Sequence, residues 1–118
     1  LGISQLSKLK LLLKYKKKLF LKYVKAFKEF KEFKILNQSK NCNSNYWLIT
    51  IILKEKSFLK RDRIIQFLND NGAQVRPCWK PLHRLKHFSK CPRMDLSNTE
   101  ILEKKIINIP SSSVYGKN

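Results

Sequence analysis

Apolar residues recur at steps of three and four along the first part of the chain, over residues 4–33. They are Leu6, Leu9, Leu13, Phe20, Val24 and Phe27. This spacing places them on one stripe of an α-helix, and we predict a single long amphipathic helix here. Lysine dominates the rest of its surface, and the stripe has a gap near Lys16 and Lys17.

The next two segments differ sharply from each other. Residues 34–45 are polar turn formers and predict a loop. Residues 46–53 are apolar at every position except Thr50, and they are mostly β-branched or aromatic. Such a run predicts a central strand buried on both faces. Packing of Trp47 in the core is favoured over stacking of a ligand on its indole.

Shorter elements follow. Ser57 is a candidate cap for a helix that ends at Asn71-Gly72, because glycine takes the left-handed position at low cost. Its predicted inward residues are Phe58, Ile64, Ile65, Phe67 and Leu68. Strand 74–76 and a short helix over 83–88 come next. Residues 97–100 form a candidate capping box for a helix to about residue 105, and a last strand over 106–109 stops at Pro110.

The order helix, strand, helix, strand, helix, strand predicts an α/β fold. We expect a small two-layer sandwich in which helices cover one face of a short sheet, with the long helix at the N-terminus. At 118 residues the chain is large enough for one domain with a modest core.

The net charge of the chain suggests several classes of binding partner but does not distinguish among them. Twenty-six Lys and Arg against eight Asp and Glu give a net charge of +18, which first suggests nucleic acid or an anionic membrane. The excess of lysine, isoleucine and asparagine is equally typical of an AT-rich coding genome. Residues 46–53 are the longest apolar run and fall far short of the roughly 20 residues that cross a bilayer. Three cysteines fit a reducing compartment.

Residues 75–83 carry the candidate chemistry. Arg76, Trp79, Lys80 and His83 lie on a connection that two prolines stiffen. Two cations beside a flat ring suit an anionic ligand with a ring of its own, such as a nucleotide diphosphate. The competing interpretation is a surface connection with incidental charges.

Two other constellations are weaker. Cys78, His83, His87 and Cys91 are zinc-ligand types, but the Cys-x4-His-x3-His-x3-Cys spacing lacks a Cys-x2-Cys knuckle, and we predict no metal site. The sequence has no nucleophile with a recognisable base and no glycine-rich phosphate loop, so we predict no catalytic residues within this chain.

Five stretches of the chain resemble, in order and spacing, the C-terminal domain of the DegT/StrS family. These are pyridoxal-phosphate-dependent aminotransferases that act on nucleotide-linked keto sugars. The similarity is greatest to members that make amino sugars for bacterial surface polysaccharides. The stretches are residues 1–6, 45–48, 61–69, 76–83 and 107–112.

The resemblance implies the C-terminal domain of a fold-type I pyridoxal phosphate enzyme. Residues 1–34 would be the long basic helix that bridges to a large domain, and residues 35–118 a small α/β domain truncated at its end. In the family, the large domain holds the Schiff-base lysine and binds pyridoxal phosphate, and neither feature has a counterpart here. We therefore expect a fragment that is inactive alone.

The same resemblance implies a cytoplasmic, homodimeric enzyme that passes an amino group from glutamate to a nucleotide-linked keto sugar. Arg76 and His83 fall on the arginine and histidine of the family's Arg-Pro-x-x-x-Pro-x-His stretch. We predict that Arg76 and Lys80 neutralise the substrate phosphates, that Trp79 supplies a flat surface for base or sugar, and that His83 lies near the reacting sugar.

A different class of function is also compatible with the sequence. The lysine-rich helix would let a free-standing basic module bind RNA or DNA, or lie on a membrane surface. Only the charge supports this alternative, because no nucleic-acid motif is recognisable. A packing helix with a solvated lysine face is favoured, and we expect neither a nucleic-acid partner nor a membrane span.

Overall fold

The computed structural model describes residues 2–54 and 60–117. A four-stranded antiparallel sheet forms its centre, in the order β1-β2-β4-β3. The strands are β1 (Phe33–Ile35), β2 (Ile49–Leu53), β3 (Arg76–Pro77) and β4 (Ile106–Ile109), and the helices are α1 (Gly2–Ala26), α2 (Arg61–Asp70) and α3 (Ser97–Lys105). The predicted α/β fold with a long N-terminal helix is confirmed. Among the described residues, no helix is long and apolar enough to cross a bilayer.

The core lies where β2 and β4 pair. Ile49 is opposite Ile109 and Ile51 is opposite Ile107, and all four side chains are buried. Alternation along β2 buries every second residue, as the period of a strand requires. Leu19 and Phe20 of α1 join this cluster, together with Tyr46, Leu53 and Val75.

The long helix is shorter than predicted. It ends at Ala26 rather than near residue 33, and Phe33–Ile35 forms the edge strand β1 in place of a helix end and a loop. Phe33 pairs with Leu53 and Ile35 with Ile51 of β2. Pairing with the free edge of β2 satisfies backbone groups of both strands, which the pattern of apolar residues alone does not reveal.

The buried face of α1 also differs from the predicted stripe. Leu19 and Phe20 are buried, whereas Leu6, Leu9 and Val24 are exposed. Lys16 explains the gap in the stripe. It turns inward, and its Nζ donates hydrogen bonds to the carbonyl oxygens of Ser111 (2.7 Å) and Tyr46 (3.3 Å).

The second half of the chain follows the prediction with local corrections. Ile64, Ile65 and Leu68 of α2 pack against the core, but Phe67 is 65% exposed, and Ser57 and Phe58 lie outside the described residues. Gly72 has the expected left-handed conformation, with φ 81°. The residues predicted to form one short helix over 83–88 instead make two 3₁₀ turns, Leu82–Arg84 and Lys86–Phe88.

The predicted capping box at the start of α3 is wrong. Ser97 is the first helical residue, and Leu96 occupies the cap position without a side-chain hydrogen bond. The Ser97 hydroxyl donates instead to Asp95 Oδ2, at 2.6 Å. A short polar side chain can form hydrogen bonds with several nearby groups. Here the serine hydroxyl binds the upstream carboxylate instead of capping the helix.

Candidate functional site

A pocket of about 610 Å³ lies beside the edge of the sheet formed by β3 and β4. Arg76, Trp79 and Lys80 all line it, so three of the four predicted site residues share one cavity. Leu48, Asn108 and Ser111 belong to its other walls. We call this cavity the Arg76 pocket. Its volume is that of a site for a small molecule.

The local sequence explains why Arg76 points into the open. Val75 is buried, and the Asn69 side chain clamps its backbone: Val75 N donates to Asn69 Oδ1 (2.9 Å), and Asn69 Nδ2 donates to Val75 O (3.2 Å). The next residue, Arg76, is exposed, as is its neighbour Pro77, because β3 lies at the edge of the sheet. Pro77 fits here because β3 is an edge strand.

The prediction that Trp47 packs in the core is wrong. Its side chain is 63% exposed, and its ring centroid lies 5.9 Å from that of Trp79, which is 69% exposed. The cause is Tyr46, whose backbone adopts φ 52°. Tyr46 takes the buried position, with its ring 4.9 Å from that of Phe20, and Trp47 consequently points outward.

Hydrogen bonds from two other elements hold the Trp47 backbone. Ser111, which follows β4, donates from Oγ to Trp47 O at 2.6 Å. Lys16 of α1 binds the carbonyl oxygens on both sides of this contact, those of Tyr46 and Ser111. Burial lowers the pKa of Lys16. The gap in the apolar stripe of α1 was the only sequence signal for this lysine.

His83 lies outside the Arg76 pocket. Its Nε2 is 2.9 Å from Glu100 Oε1, its side chain is only 14% exposed, and it borders a different hollow with Leu96 and Arg93. The hydrogen bond with His83, followed by the contacts with Arg84, lowers the pKa of Glu100. The structure thus separates His83 from the three other predicted site residues.

Metal ligands do not converge in the described part of the chain. No group of three or more His, Cys, Asp or Glu residues there is placed to hold a metal ion. Cys78 lines the Arg76 pocket, whereas His83 pairs with Glu100.

A second hollow, of about 660 Å³, lies between α1, the sheet and α2. Its lining is mostly apolar and aromatic, including Phe27, Phe33 and Leu68. The described lining contains one lysine and one glutamate rather than a group of cations. Anion binding is therefore better assigned to the Arg76 pocket.

Comparisons with known proteins agree with this architecture. GDP-perosamine synthase of Vibrio cholerae is 32% identical over 77 residues, which cover 63% of this chain and 20% of that protein. The structure of Helicobacter pylori PseC, an aminotransferase involved in the biosynthesis of pseudoaminic acid, matches 95% of this chain with a TM-score of 0.86 and 23% identity. The E. coli GDP-4-keto-6-deoxy-D-mannose-3-dehydratase with bound hydrated pyridoxal phosphate matches 95%, with a TM-score of 0.76 and 23% identity.

The chain spans only about 30% of the length of each of these two solved structures. The model of the DegT/DnrJ/EryC1/StrS aminotransferase family matches residues 1–117, nearly the entire sequence. The chain therefore belongs to the DegT/DnrJ/EryC1/StrS aminotransferase family, for which pyridoxal phosphate is the expected cofactor.

Proposed function

We propose that this chain is the C-terminal, substrate-binding part of a cytoplasmic, homodimeric aminotransferase that moves an amino group from glutamate to a nucleotide-linked keto sugar. The carrying observation is the convergence of Arg76, Trp79 and Lys80 on one pocket. Family membership supports the reaction class. Two similar proteins are named after GDP-linked sugars, so GDP is the first ligand to test.

In this proposal, Arg76 and Lys80 neutralise the diphosphate. Guanidinium and ammonium groups form charge-assisted hydrogen bonds to phosphate oxygens, and these are about twice as strong as neutral ones. The described lining of the Arg76 pocket contains no carboxylate that would compete for the two cations. Trp79 would supply the flat surface beside them.

His83 remains a prediction from the resemblance. A role near the reacting sugar requires a ring nitrogen that can reach substrate, yet Nε2 faces Glu100 and the side chain is largely covered. This geometry favours a role in holding the 3₁₀ turn Leu82–Arg84 against α3. We therefore assign substrate binding first to Arg76, Trp79 and Lys80.

The described residues do not fit as the attachment site of pyridoxal phosphate. The lysine that bonds the cofactor must be desolvated and must have a depressed pKa. Lys16 is the described lysine whose pKa burial lowers, but its ammonium is held by two carbonyl oxygens. None of the described charged side chains is fully buried. We propose that the cofactor is bound by another part of the enzyme and that this chain alone does not transaminate.

Titration calorimetry with GDP near physiological ionic strength tests the proposal. We expect Arg76→Ala and Lys80→Ala each to weaken binding about tenfold, since each removes a charge-assisted contact. Arg63→Ala is the matched control, because Arg63 is an exposed arginine of α2 outside the pocket. Equal losses in Arg76→Ala and Arg63→Ala would mean that GDP senses only the net charge, and the proposal would fail.

A further inference from the structure

We infer that Trp47, which lies beside the Arg76 pocket in contact with Trp79, is a binding residue, and that Trp47 and Trp79 together receive the base of a nucleoside diphosphate. The inference rests on the proposed function, because it assigns the base of the ligand whose phosphates Arg76 and Lys80 hold.

The exposure of the indole pair is the first observation. The chain has two tryptophans, and both lie largely in the open, in contact with each other. Large apolar side chains grouped on a surface mark binding sites, since leaving them in water is unfavourable. Tyr46 illustrates the alternative, because the chain buries that neighbouring aromatic ring and leaves Trp47 outside.

The position of the pair identifies the chemistry of the ligand. Trp79 lies between Pro77 and Lys80 on the wall of the Arg76 pocket, so the aromatic surface adjoins two cations. A ligand that uses both features must combine an anionic group with a flat ring. A nucleoside diphosphate has this composition, and stacking of a base on an aromatic side chain is tolerant of base identity.

The geometry of the pair limits how a ring binds. The two indole planes meet at 44°, and their centroids are 5.9 Å apart. A base inserted between parallel rings would need a separation of roughly 7 Å, twice the contact distance of carbon atoms. The pair is therefore a V, in which the base stacks on one indole and places its edge against the other, an arrangement that aromatic rings favour.

The backbone under Trp47 is fixed before any ligand arrives. The Ser111 hydroxyl binds Trp47 O, and the Lys16 ammonium binds the carbonyl oxygens of Tyr46 and Ser111. Three separate segments, α1 and those that precede β2 and follow β4, thus converge on this one position. Preorganisation of this kind lowers the entropy that binding must remove.

Calorimetric titrations of the chain with GDP and with inorganic pyrophosphate test the inference. We expect Trp47→Ala to weaken GDP binding about tenfold and to leave pyrophosphate binding unchanged, because pyrophosphate has no ring. Trp47→Phe should restore most of the GDP affinity. Phe67→Ala is the control, since it removes an equally exposed aromatic residue that lies on α2.

Each result decides between distinct conclusions. Unchanged GDP affinity in Trp47→Ala, with the losses in Arg76→Ala intact, would overturn the inference and leave the proposed function standing. Equal losses for GDP and pyrophosphate in Trp47→Ala would also overturn it, because the effect would not involve the ring. Absence of GDP and pyrophosphate binding to the unmodified chain would refute the proposed function and the inference together.

Discussion

The hydroxyl of Ser111 donates a 2.6 Å hydrogen bond to the carbonyl oxygen of Trp47, a residue 64 positions earlier in the chain. The bond joins the segment that leaves β4 to the segment that enters β2. Lys16 reinforces the junction from α1 through its 2.7 Å bond to the Ser111 carbonyl oxygen. The direction of the exposed Trp47 side chain is thus set by contacts that lie far apart in sequence.

Ser111→Ala should release this junction. Loss of one hydrogen bond is expected to lower the free energy of unfolding by about 1 kcal/mol. Because the Trp47 backbone loses a partner, the indole pair should loosen and the tryptophan emission spectrum should shift. Ser112→Ala is the control, since the Ser112 hydroxyl accepts a local bond from Val114 N, two residues further along the chain. Identical spectra for both variants would contradict the positioning role of Ser111.

Asn69→Asp should destabilise the strand that presents Arg76. The substitution keeps the acceptor for Val75 N but replaces the amide donor with an oxygen that faces Val75 O. We expect a loss of about 1–2 kcal/mol in the free energy of unfolding, measured by urea titration. Asn37→Asp makes the same change of charge and keeps its bond from Gln38 N, so it should be nearly neutral. Equal losses in both variants would count against the clamp.

Gly116→Ala should disturb the packing of the 3₁₀ turn Ser113–Gly116 against α1. A Cβ at this position would overlap the Tyr15 carbonyl oxygen and lie 2.7 Å from the Tyr15 carbonyl carbon. Backbone of a helix yields little, so we expect a cost of about 1–3 kcal/mol in thermal or urea unfolding. Gly2→Ala is the matched control, because nothing lies within 4 Å of its added Cβ. A stable Gly116→Ala protein would show that this turn does not pack as described.

Acid should weaken the contact between His83 and α3. The pKa of Glu100 lies below its ordinary value of 4.5, because His83 and then Arg84 bind the carboxylate. The folded protein therefore binds fewer protons than the unfolded chain in this range. The stabilising contribution of Glu100 is present above pH 4.5 and is lost as the pH falls through the lowered pKa.

Glu100→Gln removes this titration. Its urea midpoint should fall less steeply than that of the unmodified chain as the pH drops from neutral to about 3. GDP affinity at neutral pH should not change, because Glu100 lies outside the Arg76 pocket. Parallel pH profiles for the two proteins would contradict the assignment of Glu100.

Local patterns predicted the elements whose burial follows a simple period. Four such elements were predicted from the sequence: the long helix, the buried strand around Ile49 and Ile51, the turn at Gly72 and the last strand, Ile106–Ile109. Each depends on near neighbours, either through helical or strand periodicity or through the backbone freedom of glycine. The stiff connection with Arg76, Trp79 and Lys80 was visible for the same reason, because the prolines act locally.

Tertiary structure decided the rest. The segment that begins at Phe33 forms an edge strand because it pairs with β2. Trp47 points outward because Tyr46 occupies the space beside Phe20. The Lys16 side chain faces inward and binds two carbonyl oxygens, and His83 pairs with Glu100 outside the Arg76 pocket. In each case a residue distant in the sequence supplies the partner. Such a long-range contact produces no repeating pattern of apolar and polar residues from which it could be predicted.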